Sequence, residues 1–428
     1  MAHLITPWQP QHPPNLHITH REGVWLTTHE GVRLWDACSQ LMAVSMGHAH
    51  PRISTTLQAA IPQSGHLVPG LQCEWRQQLG EAMAPLLPDG FGPVLLTTGG
   101  ADAIENAIKM ARLATGRSII ITKNRSYHGA TLGALSASGD PRRAGLMGLE
   151  APGFVSVETA DCRQCPWELT PTTCTQNCID ALHQLVNTVG PERVAGILLE
   201  GESGTSGCIP YPPGYWAAAR ALATHIGCCL IADEVMSGMG RCGEWFAVTG
   251  HGVTPDIIVA AKGLTNGTIP MGAVLIKHDL IYPRFEHDPL PLGLTYSAHP
   301  LGCAAAVATI TAMTPVVHRA KTMAPWWLRT LHDHLGTHPM VGNIRSHGFL
   351  GCIELIDPHT RTPLVTRPHN SPWEQTVRTA LLGAGIYPLV RWSHVFVAPP
   401  IIATESELIE LARRLQTGLH TLYDTHFA

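Results

Sequence analysis

The chain has 428 residues, 45% of them hydrophobic and only 14% charged, with a formal charge of −4. That length and composition imply a folded protein of two or more domains and exclude a disordered one. The charge balance offers no basic excess for nucleic acid or an anionic membrane, and no apolar run reaches the roughly 18–20 residues that span a bilayer.

Met1 to Pro14 is rich in proline and polar residues and lacks the apolar core of a signal peptide, so a cytoplasmic protein is expected. Val24 to Trp35 predicts a hairpin around His29-Glu-Gly31, with Val32 to Asp36 as its second strand, and a helix should follow Pro51. From about residue 72, strands and helices alternate. Pro93 to Thr98 reads as a strand that runs into Gly99-Gly-Ala-Asp-Ala103. The helix beyond carries Ile104, Ala107, Ile108, Ala111 and Ala114 on one face and stops at Gly116. Ser118–Lys123, Gly196–Glu200, Cys228–Asp233, Asp256–Ala261 and Gly272–Lys277 are further strands, and Pro213 to Ile226 is a helix stopped by Gly227. Strands separated by helices imply crossover connections, hence an α/β fold with a mostly parallel central sheet and helices on both faces.

After Pro315 the helical stretches lengthen. Val395-Phe-Val-Ala-Pro-Pro400 and a last amphipathic helix from Ser406 to about Tyr423 then complete a smaller α+β domain. The expected organisation is an N-terminal segment, 1–60, packing with that small domain, a large α/β domain over 61–314, and the small domain over 315–428.

Most of the twelve cysteines, such as Cys228, Cys229 and Cys303, sit in apolar runs as small hydrophobes. Cys162-x-x-Cys165 and Cys174-x-x-x-Cys178 differ, because four thiols so spaced suit a tetrahedral zinc site. They suit a surface insertion of reduced thiols as well, and both readings stay open. No metal is assigned, and the 25 scattered histidines are given no metal role.

Chemistry enters at the strand ends. The run Cys228-Cys-Leu-Ile-Ala stops at Asp233, and Ile257 to Ala261 stops at Lys262 before a glycine turn. Parallel strands open their carboxyl ends onto a ligand crevice, so this acid and this lysine should face one space. A lysine for an aldehyde and an acid for a pyridinium nitrogen are what pyridoxal phosphate requires. Thr98-Gly-Gly-Ala101, between a strand and a helix, reads as a phosphate cradle. Tyr127, after another strand, is an aromatic placed to stack on a planar ring.

With these parts together, the chain resembles the class III aminotransferases, pyridoxal-phosphate enzymes of fold type I, along nearly its whole length. The matching stretches are Thr98–Lys109, Tyr127-His-Gly-Ala130, Ile231–Arg241, Pro255–Gly263 and Thr295-Tyr-Ser-Ala-His-Pro300. The resemblance makes Lys262 the lysine that carries the cofactor's aldehyde and Asp233 the partner of its ring nitrogen. It makes Tyr127 the stacking residue with Val235 beneath the ring, and Gly100 and Ala101 the backbone donors to the phosphate. Thr295 would reach the cofactor of a neighbouring subunit, which implies a homodimer or a dimer of dimers.

The branch most resembled is the taurine–pyruvate and omega-amine–pyruvate enzymes, so the implied substrates are an omega-amino acid or amine and a keto acid such as pyruvate. Gly99 and Ala101 stand where relatives carry serines, Met236 where many carry glutamine, and Glu200-Gly-Glu-Ser203 where Glu-Pro-Val-Gln is common. The last two changes point away from glutamate- or ornithine-type recognition. Arg391 resembles the carboxylate gate of related enzymes, with Glu200, then Glu202, as the acid to which it would turn. An aminomutase or a decarboxylase could use the same residues. A protein that only bound the cofactor would not need both Lys262 and Asp233, and a zinc-organised interaction protein would need the four cysteines at its centre.

Overall fold

In the computed structural model, which describes residues 16–170, 172–282, 286–365 and 371–428, three short strands open the chain. These are β1 (Ile18–Glu22), β2 (Trp25–Thr28) and β3 (Arg33–Asp36), joined as antiparallel hairpins. The predicted hairpin is β2–β3. Strand β1 escapes sequence reading because four of its five residues are exposed and none alternates with an apolar partner. The expectation for residues 1–14 lies outside the described residues.

Two helices follow, α1 (Pro51–Ala60) and α2 (Glu74–Met83). Then come β4 (Phe91–Thr97), α3 (Gly100–Thr115), β5 (Ile119–Lys123), β6 (Phe154–Val157), α4 (Asn177–Val189) and β7 (Val194–Glu200). Next are α5 (Tyr215–Ile226), β8 (Cys229–Asp233), β9 (Ile257–Ala260) and β10 (Gly272–Lys277). Gly116 and Gly227 end α3 and α5 at φ of 69° and 66°, a left-handed conformation that glycine adopts without a Cβ clash.

The seven strands lie in the order β4-β10-β9-β8-β7-β5-β6. Neighbours from β9 to β6 run parallel, whereas β10 runs antiparallel to both β9 and β4. The sheet is therefore mixed at one side. Only residues 261–271 join β9 to β10, too few for a full crossover helix, so the chain returns antiparallel.

The apolar runs divide between the two faces of this sheet. Leu230, Ala232, Ile258 and Ala260 point to one, where Leu182, Trp216, Leu222, Cys303 and Ile310 cover them. Cys229, Ile231, Ile257 and Val259 point to the other, beneath Ile104, Ala107, Ile108 and Ala111 of α3. Burial on both faces is why these strands read as continuous rather than alternating.

Helix α6 (Pro300–Met313) leads into the C-terminal part: α7 (Arg319–Leu335), β11 (Val341–His347), β12 (Leu350–Leu355), α8 (Pro372–Gly383), β13 (Ile386–Tyr387), β14 (Leu389–Arg391), β15 (His394–Val397) and α9 (Glu405–His426). Strands β11-β12-β15-β14 form a second antiparallel sheet, and β13 pairs with β3 in parallel. Val24 and Trp35 are buried in the same core as Leu331, Ile353 and Leu411. Of Val395-Phe-Val-Ala-Pro-Pro400 only the residues up to Val397 are strand, because Pro399 and Pro400 lack the N–H a ladder needs. Thr404 and Glu407 form a reciprocal capping box at the start of α9. Among the described residues, no helix is long and apolar enough to cross a membrane.

Candidate active site

Charged residues crowd the carboxyl edge of the parallel strands. β5 ends at Lys123, β7 at Glu200 and β8 at Asp233, and Lys262 stands two residues beyond β9. Register places Glu200 beside Asp233 and Asp233 beside Val259, so the acid and the lysine open onto the same edge. Lys262 takes φ of +45°, sparsely populated for a side chain with a Cβ, as the chain turns into the short 3₁₀ segment Lys262–Thr265.

Asp233 is buried, and each of its carboxylate oxygens has one partner. Its Oδ1 accepts from Val235 N–H at 3.0 Å, and its Oδ2 lies 2.8 Å from Nδ1 of the buried His128. With the carboxylate ionised, His128 donates through Nδ1–H, and its Nε2 is left buried without a partner. Burial lowers the Lys262 ammonium pKa to about 8; Asp233 opposes this and Arg142 adds to it. A lysine so placed is a neutral amine over much of the neutral-to-alkaline range, the form that can attack an aldehyde or accept a proton.

The residues fit pyridoxal phosphate. Gly99 is the extended N-cap of α3, and the backbone N–H groups of Gly100, Ala101 and Asp102 have no acceptor among the described residues. Free donors at a helix start, with the helix dipole behind them, suit a phosphate. The close approach depends on glycine: a Cβ on Gly100 would come 2.9 Å from Cγ1 of Val235, and one on Gly129 would come 2.5 Å from Cβ of Ala101. Val235 thus lies against the phosphate turn and next to the acid that would meet the ring. Ser203 Oγ and Thr205 Oγ1, in the loop after β7, are buried without partners.

Tyr127 is half-buried, and its N–H reaches Glu200 Oε1 at 3.4 Å. The guanidinium of Arg142 lies 3.7 Å from the centre of its ring and is held by Asp140 through contacts of 2.7 and 3.0 Å. Arg391, at the end of β14, belongs to the same charged group. Burial lowers its pKa, Arg142 adds to that, and Glu374 and Asp140 oppose it.

Neither acid suggested by the sequence as the partner of Arg391 pairs with it. Glu200 Oε2 is 3.3 Å from the buried Lys123 Nζ, which also sits 4.4 Å above the Tyr211 ring. Glu202 is held by His251 Nε2 at 2.7 Å and His347 Nδ1 at 3.0 Å. Each acid already has a nearer basic partner. Thr295 is exposed, together with Leu294 and Tyr296, and joins none of these hydrogen bonds within the chain.

Sequence reading missed Lys123, His128 and Arg142. Lys123 had a signal, since it ends an apolar strand as Glu200 and Asp233 do. His128 and Arg142 had none, because their partners depend on the fold. All twelve cysteines are free: Cys162 and Cys174 are exposed, Cys165 is half-buried and Cys178 is buried. Among the described residues, no group of three or more His, Cys, Asp or Glu is arranged to hold a metal ion.

Known proteins resemble the chain along nearly its whole length. The family "Aminotransferase class-III" matches residues 8–419. A solved taurine:2-oxoglutarate aminotransferase from Bifidobacterium kashiwanohense, in complex with PLP and glutamate, superposes with a TM-score of 0.93 at 32% identity, covering 99% of this chain and 96% of that one. The 5-aminovalerate aminotransferase of Pseudomonas putida is 32% identical over 340 residues, 78% of this chain and 77% of its own length. The putrescine–pyruvate aminotransferase of Pseudomonas aeruginosa is 28% identical over 416 residues, 93% of this chain and 89% of its own.

Proposed function

The chain belongs to the class III aminotransferases, which depend on pyridoxal phosphate, and from that premise we propose that it moves an amino group from an omega-amino acid or amine to a keto acid, with pyruvate as acceptor. The observation that carries the reading is the placement of Lys262, with its lowered pKa, and of His128-bound Asp233 at the ends of neighbouring parallel strands. When bound, the cofactor supplies an electron sink and carries the amino group between two half-reactions.

The protein's residues do the rest. Gly100 and Ala101 would donate to the phosphate through their backbone N–H groups, and Tyr127 and Val235 would pack against the ring. Asp233, oriented by His128 and the Val235 N–H, would be the partner of the ring nitrogen and favour a proton there. Lys262 Nζ would hold the cofactor through its aldehyde. In its free, neutral form the Lys262 amine would be the base that takes the proton from the carbon bearing the donor's nitrogen. A lowered pKa favours that form without removing its basicity.

Arg391, with Arg142 beside it, gives the site a positive side on which a carboxylate or another terminal anion would rest. A buried guanidinium left unpaired is costly, so Glu374, rather than Glu200 or the Arg142-bound Asp140, is the acid to which Arg391 turns when the substrate has no charge. Thr295 would complete the cofactor site of a second subunit in a homodimer or dimer of dimers. The exposed Met147 (80%) and Leu149 (71%) are apolar surface that a second copy would cover. Residues 1–60, 61–314 and 315–428 are the units of this reading, supported by the separate cores and by the β3–β13 pairing. A cytoplasmic location, expected from the composition, belongs to the same proposal.

The test is a donor screen with pyruvate, followed by alanine formation. Turnover of a donor with no keto acid present would indicate a mutase or decarboxylase instead. In the same assay Arg391→Ala should raise the Michaelis constant for pyruvate about ten- to a hundredfold, on the scale of one charge-assisted contact, and that for an uncharged amine far less. Equal changes in both would remove Arg391 from the gate.

A further inference from the structure

The segment that carries the four spaced cysteines meets the C-terminal sheet at a cavity that amino-group transfer does not use. The cavity measures about 320 Å³ and lies between Arg163 and Gln164, Asn343 of β11, Glu354 of β12, and Arg361 in the turn beyond. Small-molecule sites begin at about this size.

Its walls offer donors in excess. Glu354 Oε2 is shared by Arg163 Nη1 and Arg345 Nη1, both at 2.7 Å, so this acid is already doubly paired. Burial works to raise its pKa, but those two hydrogen bonds prevail and bring it to about 2. Arg345 also donates to Asn343 Oδ1 at 3.0 Å, while the Asn343 amide nitrogen has no acceptor among the described residues. The Arg361 guanidinium donates once, from Nη1 to Pro339 O at 3.0 Å, and its other N–H groups have no protein acceptor among the described residues.

Behind the wall, Asp161 is divided between Arg125 at 3.2 Å and Arg163 at 3.5 Å. Asp357, in the same turn as Arg361, accepts from His359 and Thr360 N–H at 2.8 and 2.9 Å. Four guanidiniums thus face three carboxylates, each already engaged. His394, next in this layer, is pushed down to about 3 by burial and then by Arg345, so it adds no positive charge.

We propose that this cavity binds a small polyvalent oxyanion, a phosphate ester or a di- or tricarboxylate, with Arg361 and Asn343 as its principal donors. Charge-assisted contacts to guanidinium and amide N–H groups are what carboxylate and phosphate oxygens select. Arg391, Lys262 and Asp233 are not among the residues that line this cavity.

Calorimetric titration of the holoenzyme with inorganic phosphate and, separately, citrate at constant ionic strength tests this. Saturable binding of at least one of them, one per chain, is expected. Arg361→Ala should weaken it tenfold or more, and Asn343→Asp, which puts a carboxylate on the cavity, should abolish it. Arg391→Ala should leave it unchanged, which separates this site from the substrate crevice. Binding of phosphate alone would identify a phosphate ester as the ligand class, and of citrate alone a polycarboxylate. No saturable binding of either anion overturns the proposal, as does equal affinity in the wild type and in both cavity variants. The cofactor absorbance and melting temperature of each variant confirm that it is folded.

Discussion

Lys262 shows how much one side chain depends on its enclosure. An ordinary lysine holds its proton to well above pH 10, whereas burial brings this one to about 8. Uptake of the cofactor by the apoprotein, followed by absorbance, should therefore rise about tenfold per pH unit below 8 and level off above it; a rate still climbing at pH 10 would show an ordinary lysine. Lys262→Ala should lose all but a trace of turnover while keeping the wild-type melting profile. Asp233→Asn keeps the shape but removes the charge that His128 and the ring nitrogen both face. We expect a loss of about two to three orders of magnitude in turnover, the scale of a preorganised electrostatic contact. Near-normal turnover would place the partner of the ring nitrogen elsewhere.

At the scale of elements, the first turn of α3 is held by what packs against it. Gly129 has φ of +141° and presses on Ala101, so Gly129→Ala would bring a Cβ within 2.8 Å of the Ala101 Cα. The turn must shift, and with it the Gly100 and Ala101 N–H groups. The expected outcome is a cofactor dissociation constant raised about tenfold and a stability loss of about 1–3 kcal/mol, from overpacking and from the strained backbone. Equilibrium dialysis and thermal melting measure the two, and unchanged cofactor affinity would detach Gly129 from the phosphate turn. The same dependence on packing decides strand direction: β10 has the composition of its neighbours yet runs opposite to them, because the connection from β9 is short.

Across the whole molecule, Glu202 ties the large domain to the C-terminal sheet. It lies just after β7, and its Oε1 takes His251, which precedes β9, and His347, the last residue of β11. Burial would raise the Glu202 pKa, but the hydrogen bonds from the two rings bring it to about 2. For His347 burial works downward, and the Glu202 carboxylate outweighs it and raises the pKa. The depressed acid stabilises the fold above its unfolded value near 4.5 and loses that contribution as pH falls toward 2. The raised histidine stabilises fully below its unfolded value near 6.5 and loses its part as pH rises through the folded value. The tie should be strongest between these limits. Glu202→Gln should lower the melting temperature by about 2 °C or more at pH 6 and by less at pH 9. A difference from wild type that does not vary with pH would mean that the contact is not ionic.

What the sequence determined by itself was what the chain decides locally. Ile257 to Ala261 is apolar enough to be a strand, Lys262 and Gly263 end it, and Gly227 stops a helix wherever that helix packs. Such signals place Asp233 and Lys262 at strand ends, and a parallel α/β sheet turns those ends into one crevice. The partners were decided only in three dimensions. His128 reaches Asp233 across 105 residues of chain, Lys123 claims Glu200 ahead of Arg391, and β10 reverses its neighbours' direction. A charged side chain is satisfied by whichever opposite group the strand order and register bring within about 3 Å, and neither order nor register is carried by the few residues around it.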